Sequence, residues 1–103
     1  MTAVGFNAMG GRGVISVVSN IAPKITAEIQ NLSLAGNYAE ARDMQAKLVV
    51  LTQAMFMETN PMPVKYAVSL MGKCAASLRL PLVLPLDATQ AAVRAAMADL
   101  KLI

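Results

Sequence analysis

A chain of 103 residues that is 56% apolar and only 15% charged, with a mean hydropathy of +0.54, is too apolar for an intrinsically disordered protein. It has no histidine and a single cysteine, Cys74, which removes imidazole bases, His-dependent triads, imidazole metal sites, zinc modules and disulfide frameworks. The net charge is +3, and the nine cations are scattered singly between Arg12 and Lys101 with no aromatic residues between them in a pattern that would stack bases, so nucleic acid is not an expected partner.

In chain order, residues 2–9 read as the tail of a helix stopped by Gly10-Gly11. The run Gly13-Val14-Ile15-Ser16-Val17-Val18 is rich in β-branched aliphatics and predicts a strand. It is apolar on both faces, as in a central strand of a parallel sheet covered by helices on each side. Ser19 and Asn20 are good N-caps and Pro23 suits a first helical turn. Ile25, Ile29 and Leu32 then form one stripe, and Gly36-Asn37 ends that helix. A longer helix is expected from Tyr38 to Glu58, with Ala41, Met44, Leu48, Leu51 and Met55 inward. Thr59-Asn60-Pro61-Met62-Pro63 breaks the chain and restarts it, Asn60 being a possible cap. A short helix then runs to Met71, before Gly72. Leu78 to Leu86 is apolar but holds Pro81 and Pro85, so it should be extended and packed without joining a ladder. Asp87-Ala88-Thr89-Gln90 resembles a capping box, and the last helix runs to Leu100.

One strand among four or five helices is an imbalance. A strand cannot satisfy its own amides and carbonyls, and each such group left buried and unpaired costs about 1–3 kcal/mol. The order helix, Gly-Gly, strand, helix over residues 2–35 is a βα unit of a larger alternating fold. Either the stretch 13–18 is not a strand, or its neighbours lie on another polypeptide or on residues missing from this one.

No membrane span is expected, because the uncharged runs 1–11 and 13–23 fall well short of the roughly 20 residues needed to cross. The first residues carry no basic n-region, so a secretory signal is not expected. A reduced, cytoplasmic setting suits one free cysteine, expected to be a small half-buried residue.

Three segments carry a resemblance. Gly10-Gly11-Arg12-Gly13-Val14-Ile15-Ser16-Val17 with Asn20 looks like an eighth barrel strand and the start of its helix. Ala35-Gly36-Asn37-Tyr38-Ala39-Glu40-Ala41-Arg42 looks like the turn between the first helices of a C-terminal region. Glu58-Thr59-Asn60-Pro61-Met62-Pro63-Val64-Lys65, with Arg79-Leu80-Pro81-Leu82, looks like that region's signature. In order and spacing these segments resemble the C-terminal third of the 4-hydroxy-tetrahydrodipicolinate synthase (dihydrodipicolinate synthase) family, and Asn-Pro-x-Pro-Val-Lys favours it over the related sialic-acid lyases.

The resemblance implies a mainly α chain: the C-terminal piece of a (β/α)8 TIM barrel, its last strand and helix, over residues 1–36, and a C-terminal helical domain over 37–103. It implies a lyase of lysine biosynthesis, on the diaminopimelate route, that joins pyruvate to aspartate semialdehyde through a lysine Schiff base. No organic cofactor or metal is implied, and the complete enzyme would be a homo-oligomer, a tetramer in the family. The family's Schiff-base lysine and proton-relay tyrosine map upstream of Met1, so no catalytic residue is expected here and the chain alone should be inactive.

One position carries over as substrate-binding. Ile15 matches the strand-eight isoleucine whose main chain lies beside bound pyruvate; otherwise Ile15 is buried barrel core. Lys65 as a rival nucleophile, Tyr38 and Tyr66 as relays, and Glu58 with Asp87 as paired carboxylates are each better explained by packing, solvation or capping. Met44, Met55, Met57, Met62 and Met71 read as core filler. The alternatives are a non-catalytic helical interaction module, or a piece of another pyruvate-dependent class I aldolase.

Overall fold

Backbone of positive φ just beyond the helix ends sets the layout of this chain. The computed structural model describes residues 2–103. Six α-helices follow in order: α1 (Ala3–Ala8), α2 (Pro23–Leu34), α3 (Tyr38–Lys47), α4 (Val49–Met55), α5 (Met62–Leu70) and α6 (Asp87–Asp99), with one 3-10 turn, Val18–Asn20, before α2. Helices α1, α2, α5 and α6 end alike. In α2, the Gly36 N–H donates to the Ser33 carbonyl (3.1 Å) and the Asn37 N–H to the Leu32 carbonyl (2.8 Å), with Gly36 at φ +82. This is the Schellman pattern, which satisfies carbonyls that have no partner within the helix. Gly10, Gly72 and Lys101 hold the equivalent positive-φ position after α1, α5 and α6.

The chain divides into two compact units, one ending at Val49 and one running from Val50 to Ile103. In the first, α2 packs against both α1 and α3. Ile21, Ala22, Ile29, Ala41 and Leu48 are buried there. Two hydrogen bonds to glutamine side chains fix α1 to its neighbours. The Val4 N–H donates to Gln45 Oε1 of α3 at 3.1 Å, and Asn7 Nδ2 donates to Gln30 Oε1 of α2 at 2.7 Å. In the second unit α5 packs on α6, and Ala67, Val93, Ala96 and Met97 are buried.

Several expectations are corrected. No strand forms among the described residues. Residues 11–16 are non-helical but unpaired, and Val18–Asn20 turns into 3-10 helix. A strand exists only in a pair, and none of Arg12, Gly13, Val14 and Ile15 makes a hydrogen bond among the described residues. The helix expected over 38–58 is interrupted at Leu48 and stops at Met55, although its stripe holds, with Ala41, Leu48, Leu51 and Met55 buried. The caps also differ. Ala22, Pro61 and Leu86 occupy the N-cap positions of α2, α5 and α6, and none makes a side-chain cap bond. Ser19 and Asn20 instead bond backward to the Ser16 and Val17 carbonyls.

The stretch 78–86 is non-helical as expected, with a turn in which the Leu82 N–H donates to the Arg79 carbonyl at 3.1 Å around a cis Leu80–Pro81 bond. It is packed only in part: Pro85 is buried and Leu78 and Leu82 are half-buried, whereas Leu80, Val83, Leu84 and Leu86 are exposed. Met57 is exposed rather than core, and Cys74 is exposed rather than half-buried. Met55 and Met62 are buried as core filler, and Met97, not singled out in the sequence, is fully buried as well.

Candidate functional site around Ile15

The stretch between α1 and the 3-10 turn is anchored at both ends and open in the middle. At its start, the Gly10 N–H donates to the Asn7 carbonyl (3.0 Å) and the Gly11 N–H to the Phe6 carbonyl (3.0 Å). Gly11 has no room for a side chain: an added Cβ would overlap the Phe6 ring and lie 2.8 Å from the Phe6 carbonyl oxygen. At its end, Ser19 donates two hydrogen bonds to Ser16. The Ser19 N–H donates to Ser16 Oγ at 3.1 Å, and Ser19 Oγ–H donates to the Ser16 carbonyl at 2.7 Å. Val18 and Ile21 are buried just beyond.

Between these anchors Val14 is 42% exposed and Ile15 is completely exposed, at 109% of its reference area. Ile15 is therefore not core within this chain, and its main-chain groups are free of partners among the described residues. Phe6 and Met9 of the preceding helix end are exposed as well. These exposed apolar side chains all belong to the first unit.

The rival residues take structural roles. Lys65 lies within α5, half-buried, and its carbonyl receives the Cys74 Sγ at 3.9 Å. Tyr38 opens α3. Tyr66 is 6% exposed, with the Arg94 guanidinium 5.4 Å above its ring centre. Glu58 and Asp87 do not act as a carboxylate pair. Glu58 Oε2 accepts the Leu86 N–H at 2.9 Å, holding the start of α6, and Asp87 occupies the first turn, where a negative charge favours the helix dipole. Sequence reading missed the Glu58–Leu86 bond because its partners are 28 residues apart. No group of three or more metal-ligating side chains occurs among the described residues, and no helix is long and apolar enough to cross a membrane.

Comparison with known proteins gives this geometry a context. The family model for the dihydrodipicolinate synthetase family matches residues 2–100. The chain belongs to that family. A curated relative, the 4-hydroxy-tetrahydrodipicolinate synthase of Afipia carboxidovorans, is 50% identical over 97 residues, covering 94% of this chain and 33% of the relative. The crystal structure of the dihydrodipicolinate synthase of Thermotoga maritima superposes with a TM-score of 0.96 at 41% identity, over 99% of this chain and 35% of that one. The Acinetobacter baumannii enzyme, crystallised with pyruvate, gives a TM-score of 0.94 at 34% identity over 99% of this chain and 35% of its own. The chain thus spans about a third of the length of the family members it matches, and that third is their C-terminal one. The helical architecture is that of a fragment of the family's TIM-barrel fold.

Proposed function

We propose that this chain supplies the C-terminal third of a 4-hydroxy-tetrahydrodipicolinate synthase-type lyase, which condenses pyruvate with aspartate semialdehyde in the diaminopimelate route to lysine. The observation that carries this reading is the continuous match over residues 2–100, joined to a backbone that superposes on solved family members over 99% of its length. On this reading residues 1–36 close the barrel and 37–103 form the helical domain after it.

The chemistry belongs to the ends of the barrel strands. A lysine outside this chain forms the Schiff base with pyruvate, and no residue of this chain acts as nucleophile or proton relay. Ile15 contributes its main chain. A carbonyl fixed in place beside the reacting amine accepts a hydrogen bond and orients that amine without side-chain chemistry. The two anchored ends of the 11–16 stretch give that carbonyl a defined position. The assembled enzyme is a cytoplasmic homo-oligomer on this reading, and it uses no organic cofactor or metal.

A chimera tests the proposal. The first two-thirds of the Afipia carboxidovorans enzyme is fused to this chain in place of its own matched segment. Condensation of pyruvate with aspartate semialdehyde within about tenfold of the parent kcat/KM is expected, a loss of no more than about 1.4 kcal/mol in transition-state stabilisation. A folded chimera without that activity overturns the reading.

A further inference from the structure

We propose that the hydrogen-bonded pair Asn7–Gln30 is a positioning device: it sets the span between the two ends of the stretch 11–16 and so fixes where the Ile15 main chain lies. The inference rests on the reading that this main chain faces the reacting amine, and it adds the residues that place it there. Arg12 to Ile15 make no hydrogen bonds among the described residues, so the path of the stretch follows from its ends. The upstream end moves with α1, whose Phe6 and Asn7 carbonyls accept the Gly11 and Gly10 N–H groups, each at 3.0 Å. The downstream end moves with α2. The Ile21 and Ala22 N–H groups donate to the Val18 carbonyl at 3.0 and 2.9 Å, and the Thr26 N–H donates to the Ala22 carbonyl at 3.1 Å, which couples the 3-10 turn to the first turn of α2.

Asn7 joins the two ends. Its Nδ2 donates to Gln30 Oε1 of α2 at 2.7 Å, while its own carbonyl holds Gly10. Helix α1 has six residues, too few to keep a helix in place by itself. The bond from the Val4 N–H to Gln45 holds only its first turn, and the Asn7 bond, near the other end, stops α1 from swinging about that point. Asn7 is 4% exposed, so water competes little for the bond. The pair is a poor source of stability, because Asn7 Oδ1 and Gln30 Nε2 are buried with no partner among the described residues. Two apolar side chains of similar size would hold α1 on α2 about as firmly. Apolar contact is non-directional, whereas an N–H···O bond weakens steeply as its angle departs from linear. Direction is what the amide pair adds.

The test places Asn7→Leu with Gln30→Met in the chimera described above. The thermal midpoint should stay within about 3 °C of the unsubstituted chimera, since both buried polar groups leave together. Pyruvate is bound covalently before the aldehyde reacts, so kcat/KM for pyruvate reads formation of the Schiff base. That constant should fall at least about tenfold, as expected for a displaced orienting group, while kcat/KM for aspartate semialdehyde stays within about twofold. The exchanged pair, Asn7→Gln with Gln30→Asn, keeps one amide on each helix and the same number of methylenes between them. It should bring kcat/KM for pyruvate back to within about threefold of the unsubstituted chimera. In the 103-residue chain, NMR order parameters of the Val14 and Ile15 amides should match those of α2 before substitution and drop below about 0.6 in the apolar variant, with α2 remaining near about 0.85. An unchanged kcat/KM for pyruvate in the apolar variant, an equal loss for both substrates, or no rescue by the exchanged pair overturns the proposal. A folded but inactive unsubstituted chimera sinks the catalytic reading alone, and the order parameters then decide by themselves whether the pair holds the stretch: unchanged values overturn it.

Discussion

Lys101 is the only residue other than glycine to hold a positive φ among the described residues, at +55. It ends α6 as Gly36 ends α2: its N–H donates to the Ala98 carbonyl, and the Leu102 N–H donates to the Met97 carbonyl, both at 2.9 Å. An L-residue with a Cβ is disfavoured in this region by about 1–2 kcal/mol, part of which glycine returns as chain entropy in the unfolded state. Lys101→Gly should therefore stabilise the chain by about 0.5–1 kcal/mol. The measurement is denaturant unfolding, with the midpoint moving up at constant slope. Gly36→Ala is the converse experiment. Nothing lies within 4 Å of a Cβ built at Gly36, so the expected loss of about 1 kcal/mol or more is purely conformational. Equal midpoints for parent and Lys101→Gly would show that the lysine sits there without strain.

At the scale of elements, α5 and α6 show which contacts hold a helix pair. Val93 is fully buried, whereas the neighbouring Arg94 is exposed and reaches over the Tyr66 ring. Val93→Ala removes methyl groups from a filled interior and should cost about 2 kcal/mol. Arg94→Ala removes a solvent-screened cation–π contact and should cost less than about 1 kcal/mol. Thermal unfolding of the two variants side by side checks the order, and a larger loss from Arg94→Ala would refute it. These helices were legible because Gly36, Gly72 and the Pro61–Pro63 break punctuate them in the sequence. Leu48 interrupts the predicted long helix without glycine or proline to announce it, and a lysine at a positive φ carries no local signal either. The segment 78–86 is non-helical as its prolines predict, but it packs only in part because apolar composition does not specify a partner: Pro85 is buried while Leu80 and Leu86 remain exposed. The strand at 13–18 was misjudged for a related reason, since pairing is non-local and no second strand lies beside it among the described residues. Ile15 was singled out in the sequence only through family resemblance; its exposure and its free backbone emerged from the fold.

For the whole molecule the question is whether a third of an aldolase-type fold can begin the chemistry. A Schiff base at neutral pH needs an unprotonated amine, and a lysine becomes a nucleophile when burial or a neighbouring cation lowers its affinity for protons. The chain has five lysines, Lys24, Lys47, Lys65, Lys73 and Lys101. Four are exposed, and Lys65 is only half-buried. None stands in a closed, water-excluding pocket. Tyr66, the buried tyrosine of the second unit, has no hydrogen-bond partner for its Oη among the described residues, so no proton chain runs from it to Lys65. Incubation of the isolated chain with pyruvate and borohydride should therefore leave its intact mass unchanged, at pyruvate concentrations that fully label a complete family enzyme. The active chimera proposed above should take up one reduced pyruvate per chain under the same conditions, on a peptide contributed by the relative. A stoichiometric adduct on the isolated chain, above all one mapped to Lys65, would mean that this third of the fold carries a nucleophile of its own.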